Sequence, residues 1–371
     1  MTNARLWCLV LALNAVLAGA VQVAAPPEPA RSDRQEYEYA GMHGLEPNCG
    51  WSVYCYRLLV PVALESIPMD PARRWRVFRV ASTTVAGALI AVTAAQLGGG
   101  WLAAALANLS VQSSFGFAFT AYDPYSADPF VFVISAVIAW CWLTNRVAGA
   151  FAAGMIGLFA KETVALVSAA TALAALRARQ RGHRYWWIAQ AAVVMMTLLG
   201  FHWVMDTYFG WGITKNPAAK LSEGSWLALW WANNPNLLSK MFYVFMPFGF
   251  SWVYATVGFR TAPVALQHLA LGAVLPFLAL NYVQNPERAL ANTFFVIVPL
   301  ATIALLRVPF GVALMAVVTN GALTAKVGTS TEWLPSSSYL LVAAAASAAL
   351  VFWHLRGTGF QSGAEERTLE R

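Results

Sequence analysis

The stretch "VAGAFAAGMIGLFAKETVALVSAATALAAL" (residues 147–176) decides how this chain is read. It is apolar except for one adjacent pair, Lys161 and Glu162. As a single helix it would run ~45 Å, against a hydrocarbon core of ~30 Å. Two helices of about fourteen residues, folded back at "KET", rise only ~21 Å each. With Arg146 and Arg177 held at one membrane face, the charged turn stops short of the other. An isolated charge in lipid is costly, so the pair is expected at the floor of a polar recess. The plain structural alternative is an ion pair at a tight turn.

The rest of the chain repeats the apolar pattern. Hydrophobic residues make up 59% of 371 and charged ones 11%, where soluble domains carry about 25% charged. That excludes a soluble domain with a single anchor. It predicts an all-α polytopic transmembrane helix bundle of about 11–12 membrane segments. One domain is expected over 1–356, with a long first outer loop at 26–78 bearing short interfacial helices. A further outer loop spans 206–240, and a solvated cytoplasmic tail spans 357–371. The formal charge of +7 does not point to nucleic acid. The arginines sit at the ends of apolar runs, as topology signals and headgroup contacts do. The N-terminal run "LWCLVLALNAVLAGA" is read as a retained helix rather than a cleaved signal, because many spans follow.

Arginine placement sets the orientation. With both termini cytoplasmic, the inner connections carry Arg146, Arg177, Arg179, Arg181, Arg184, Arg260, Arg307 and Arg356 and no carboxylate. Every carboxylate ahead of the tail then faces outward. "PARRWRVFR" (residues 71–79) also falls outside. The stretch before it, "LLVPVALESI", is too short to cross and is read as an interfacial helix. Its arginines are expected at headgroups or an anionic ligand. Trp226, Trp230 and Trp231 point to a second helix in the interface. Cys49 and Cys55 are a candidate disulfide in an outer, oxidising loop, whereas Cys8 and Cys141 lie in apolar spans. The five histidines have no ligand-like spacing, so no metal is assigned; a divalent cation at the carboxylates stays open.

Four polar clusters share the outer face: "RSDRQEYEYAG" with Asp33, Glu36 and Glu38, "AYDPYSADPF" with Asp123 and Asp128, "AKET", and "VQNPERAL" with Glu287 and Arg288. Carboxylates beside cations suit deprotonation of an acceptor while an anionic leaving group is stabilised. Lys161 and Arg288 are candidate phosphate ligands, the arginine through a bidentate fork. Each cluster also has a bland reading: a solvated loop for Asp33–Glu38, a helix cap for Asp128 ahead of Pro129, and a first-turn pair for Glu287 and Arg288.

The order of these clusters resembles bacterial membrane glycosyltransferases of the GT-C superfamily. The resemblance rests on "DRQEYEYA", "YRLLVP", "DPF", "KET" and "ER", over roughly residues 5–310. It implies sugar transfer from a polyprenyl-phosphate-linked donor to a glycan, lipid or protein acceptor at the non-cytoplasmic face of the inner membrane. By position, Asp33 or Glu36 is the implied base and Asp128, with Asp123, an acceptor- or cation-side carboxylate. Lys161 and Arg288 hold the phosphate, with Glu38, Arg57, Glu162 and Glu287 in support. No cofactor beyond the lipid-linked donor is implied. Many members carry a soluble domain after the last span, whereas here only the tail at 357–371 is expected to follow it. A transporter or flippase, or a non-catalytic relative, is the alternative.

Overall fold

The computed structural model describes residues 3–26, 33–44, 53–178, 183–210, 236–277 and 286–369, and every regular element among them is helical. The chain opens with α1 (Asn3–Ala24), then two short helices, α2 (Arg34–His43) and α3 (Leu59–Glu65), the latter preceded by a 3-10 turn at Val53–Tyr56. α3 is the short helix expected from "LLVPVALESI".

α4 (Pro71–Ala94) starts earlier than the hydropathy alone predicts. Asp70 accepts a hydrogen bond from the Arg73 amide at 3.0 Å, and Pro71 fills the first turn. A capping acid followed by proline is a strong helix start. The start draws "PARRWRVFR" into the helix. Arg74 and Arg79 are buried, which corrects their expected place at headgroups. Arg74 pairs with Glu65. Arg79 donates to the carbonyls of Ala18 at 2.7 Å and Phe117 at 2.9 Å. Its cost of burial is met by backbone acceptors rather than by water.

A π turn at Ala95–Gly99 leads into α5 (Gly100–Gln112) and α6 (Phe115–Tyr122). Next come α7 (Asp128–Leu143), α8 (Val147–Leu158), α9 (Thr163–Arg177) and α10 (Arg184–Tyr208). The "KET" break falls where the length argument puts it, between α8 and α9. The second half contains α11 (Leu237–Phe245), α12 (Ser251–Thr261), α13 (Val264–Gly272), α14 (Pro286–Ala291), α15 (Phe294–Leu305), α16 (Phe310–Thr329) and α17 (Ser337–Leu369). α17 continues through most of the expected tail. The tryptophan-bearing stretch with Trp226, Trp230 and Trp231 lies outside the described residues, as does Cys49.

Among the described residues, five stretches are long and apolar enough to cross a membrane: Ala4–Ala24, Pro71–Gln112, Arg184–Tyr208, Phe310–Thr329 and Ser337–Arg356. Five shorter apolar helices, α7, α8, α9, α15 and the Val264–Phe277 stretch, complete the bundle. Against the 11–12 segments expected, the described residues thus hold ten apolar stretches of two kinds. α15 is apolar on every side and almost wholly buried, packed along α12 and against α4 and α5. A helix without a polar face belongs in a core.

Small residues let these helices approach. A Cβ on Gly157 would lie 2.7 Å from Ile134 Cγ2 and 2.9 Å from Val164 Cγ1. One on Gly258 would run into the carbonyl of Leu300, bringing α12 and α15 to backbone contact. Such small-residue contacts are how helices associate in lipid, where burial of apolar surface supplies little drive.

Candidate functional site

The α8–α9 turn is fixed by its own backbone. The amides of Ala160 and Lys161 both donate to the Gly157 carbonyl at 3.0 Å. The Leu59 amide donates to the Phe159 carbonyl at 3.0 Å, stitching the start of α3 to this turn. The start of α7, the α8–α9 turn, α14 and the N-terminus of α2 therefore meet at one end of the bundle.

There the charged side chains form one network. Lys161 pairs with Asp128 Oδ1, and Arg288 Nη2 donates to Asp128 Oδ2 at 2.9 Å. The same Arg288 places Nη1 3.7 Å from Asp33 Oδ2 and Nη2 3.4 Å from Ser126 Oγ. Next to it, Arg57 grips Glu162 with two bonds, Nη2 to Oε1 at 2.9 Å and Nε to Oε2 at 3.3 Å. Arg57 Nη1 also donates to the Tyr37 hydroxyl at 3.4 Å. The adjacent Lys161 and Glu162 thus have separate partners, and neither is the other's.

Burial grades across this network. The side chains of Lys161 and Asp128 are 6% and 7% exposed, whereas those of Arg288 and Asp33 are 19% and 29% exposed. Burial alone would raise the Glu162 carboxyl, but the charges of Arg57 and Lys161 outweigh it and hold the group below its usual range. Burial likewise opposes the charge on Arg288, and Asp128 and Asp33 reverse that, tightening its hold on the proton. Tyr37 is fully buried, and loss of water raises its hydroxyl against the pull of Arg57.

Asp128 corrects one expectation. It occupies the first turn of α7 but makes no capping bond; Ala127 precedes the helix, and both carboxylate oxygens turn to cations. The Asp128 amide instead donates to the Ser126 hydroxyl oxygen at 3.1 Å.

Of the expected site residues, Asp33, Arg57, Asp128, Lys161, Glu162 and Arg288 come together. Asp123 is buried nearby and adds its charge to the field at Arg288. Glu36 stands apart from the ion pairs, with one buried oxygen lacking a hydrogen-bond partner among the described residues. Glu38 pairs with Arg34 one helical turn away at 3.0 Å. Glu287 is partly buried, and burial raises its carboxyl against its own backbone amide and Arg288. Cys55 is disulfide-bonded, and Cys8 and Cys141 are free. Among the described residues no three His, Cys, Asp or Glu side chains gather as a metal set. Asp33 and Asp128 meet across Arg288, which occupies the place of a bridging cation.

Residue types alone did not single out three contributors. Tyr37 closes the Arg57 side; its spacing from Asp33, one helical turn, was the available signal. Tyr56 donates its hydroxyl to Asp206 and stacks on His202 with centroids 4.4 Å apart, tying the α3 entrance to the end of α10. Arg34 lies over the Tyr125 ring, 5.1 Å from its centroid.

The arrangement defines a helical bundle with helices long and apolar enough to cross a membrane and a charged cluster at one end. No family model, no curated protein and no solved structure matches the chain.

Proposed function

We propose that this protein is a membrane glycosyltransferase that moves a sugar from a polyprenyl-phosphate-linked donor to an acceptor at the non-cytoplasmic face of a bacterial inner membrane. One observation carries the reading: Arg288 bridges Asp33, the most exposed acid of the network, and Asp128, whose other oxygen is held by Lys161. A general base needs a carboxylate oxygen that can meet an acceptor hydroxyl. Asp128 is committed on both oxygens, so it is the anchor that aims the cations. Asp33 is held only at 3.7 Å and is the base.

The reaction is a displacement at the anomeric carbon. The acceptor oxygen forms the new bond as Asp33 takes its proton, and the sugar–phosphate bond breaks toward the lipid phosphate. Arg288 meets the negative charge on that leaving group. Lys161 acts through Asp128, positioning the guanidinium.

The non-catalytic reading has its own support, since Lys161, Asp128, Arg57 and Glu162 are closely buried and satisfy one another. Donor binding separates the two. Asp33→Asn is expected to bind polyprenyl-phosphate sugar and transfer none, while Arg288→Gln loses binding. A folded Asp33→Asn protein with full transfer removes Asp33 as base. No donor binding by the wild-type protein removes the enzyme reading.

A further inference from the structure

At the opposite end of α8 from Lys161, a groove of about 500 Å³ runs between α8 and α10. Its walls are apolar: Phe151 on α8, Trp186 and Val193 on α10. All three are exposed on the outside of the bundle. Gln190 forms the polar floor and is tied down by its amide nitrogen, which donates to Thr171 Oγ1 at 2.8 Å. Asn145 and His183 stand at the mouth. Asn145 takes a left-handed backbone, φ 58°, and its side-chain oxygen accepts from Trp187 Nε1 at 3.3 Å, so this mouth is a fixed structure.

Charge at the mouth names the occupant. Arg146 follows Asn145 and Arg184 follows His183, so on each helix an arginine is the chain neighbour of a lining residue, although neither arginine lines the groove itself. Among the described residues of 144–148 and 183–193 there is no carboxylate. Both guanidiniums lie over aromatic rings, Arg146 over Trp140 at 4.8 Å and Arg184 over Tyr185 at 5.0 Å, in the manner of side chains anchored at a membrane interface.

We infer that this groove is a specific site for a phospholipid with an anionic headgroup, one acyl chain lying between α8 and α10 and the phosphate between Arg146 and Arg184. Its volume falls within the ~300–1,000 Å³ of ordinary ligand sites. The inference does not depend on the transferase reading, because the groove and the charged network lie at opposite ends of α8.

The test uses the full-length protein in nanodiscs of phosphatidylcholine with trace spin-labelled phosphatidylglycerol or spin-labelled phosphatidylethanolamine. The wild type is expected to hold the glycerol lipid in preference. Arg184→Gln should lower that preference roughly fivefold, the factor equivalent to about 1 kcal/mol per basic residue. Ala189→Phe, which fills the groove from α10, should abolish it with both arginines in place. Equal retention of the two lipids by the wild type, or an unchanged preference in Ala189→Phe, overturns the inference. So does a shift of Ala189→Phe from oligomer to monomer, which would make the groove a contact between copies of this chain. Unchanged thermal unfolding shows that each variant is folded.

Discussion

Lys161 and Glu162 are neighbours in sequence with opposite duties. Lys161 holds Asp128, and Glu162 holds Arg57. Removing one member of a buried pair leaves the other charge uncompensated, at a cost of about 3–5 kcal/mol. Glu162→Ala is therefore expected to lower the thermal unfolding midpoint in detergent sharply. The double replacement Arg57→Met with Glu162→Met should restore much of it. The same residue predicts a pH dependence. Its folded carboxyl lies below the usual 4.5, so its contribution is complete above that pH and is lost as the pH falls through the folded value. Wild type should lose more stability on acidification below pH 4.5 than Glu162→Gln does. Much of this was legible beforehand. A charged pair inside a run too long for one helix had to be a turn, and its position followed from length. The partners were not legible. Asp-Pro reads alike for a helix cap and for a first-turn acid aimed at a cation, and only the tertiary position of Asp128 tells them apart. Arg79 was misplaced for a related reason: its acceptors lie 61 and 38 residues away in sequence.

At the scale of elements, α8 and α9 are too short to cross a bilayer alone. Their 12 and 15 residues rise only ~18 and ~22 Å. They hold the charged turn inside the bundle because α10 packs along both and α7 packs against them. Gly157 is where this packing closes. It contacts Ile134 and Val164 and supplies the carbonyl that receives the Lys161 amide. Gly157→Val is expected to destabilise by about 1–3 kcal/mol, as overpacking does. The same substitution should impair any ligand binding at Arg288 by displacing Lys161 and Asp128, while Gly258→Val, at the α12–α15 contact, should destabilise without a selective effect on the site. Unfolding midpoints and donor titrations on the two variants separate packing from positioning. The sequence located these elements to within a few residues where a polar turn or proline interrupts them. It missed the α5–α6 break at Gln112–Ser114 and the α11–α12 break at Met246–Phe250, because long apolar runs on both sides outweighed two serines in the first and Pro247 and Gly249 in the second.

The whole molecule is polarised. Asp33, Asp128, Glu162 and Arg288 share one end, and Asn145, Arg146 and His183 lie at the other end of α8. By the positive-inside rule we propose that the end with Arg146 and Arg184 is the cytoplasmic one. Exposed positions at the two ends test this: Ser66→Cys is expected to react with a membrane-impermeant maleimide added outside intact cells, and Thr144→Cys only after permeabilisation. The reverse pattern would place the charged network in the cytoplasm, away from the non-cytoplasmic face the transfer reaction requires. The central claim is chemical, and its most direct test is sugar transfer by the purified protein in bilayers. A polyprenyl-phosphate-linked sugar is supplied with acceptor extracted from the membranes of the same cells, wild type beside Asp33→Asn. Wild-type transfer is predicted, with a loss of at least ~100-fold in Asp33→Asn at unchanged unfolding midpoint, the scale of a missing general base. Equal transfer by the two proteins, or none by the wild type across a panel of lipid-phosphate sugars, would contradict the account.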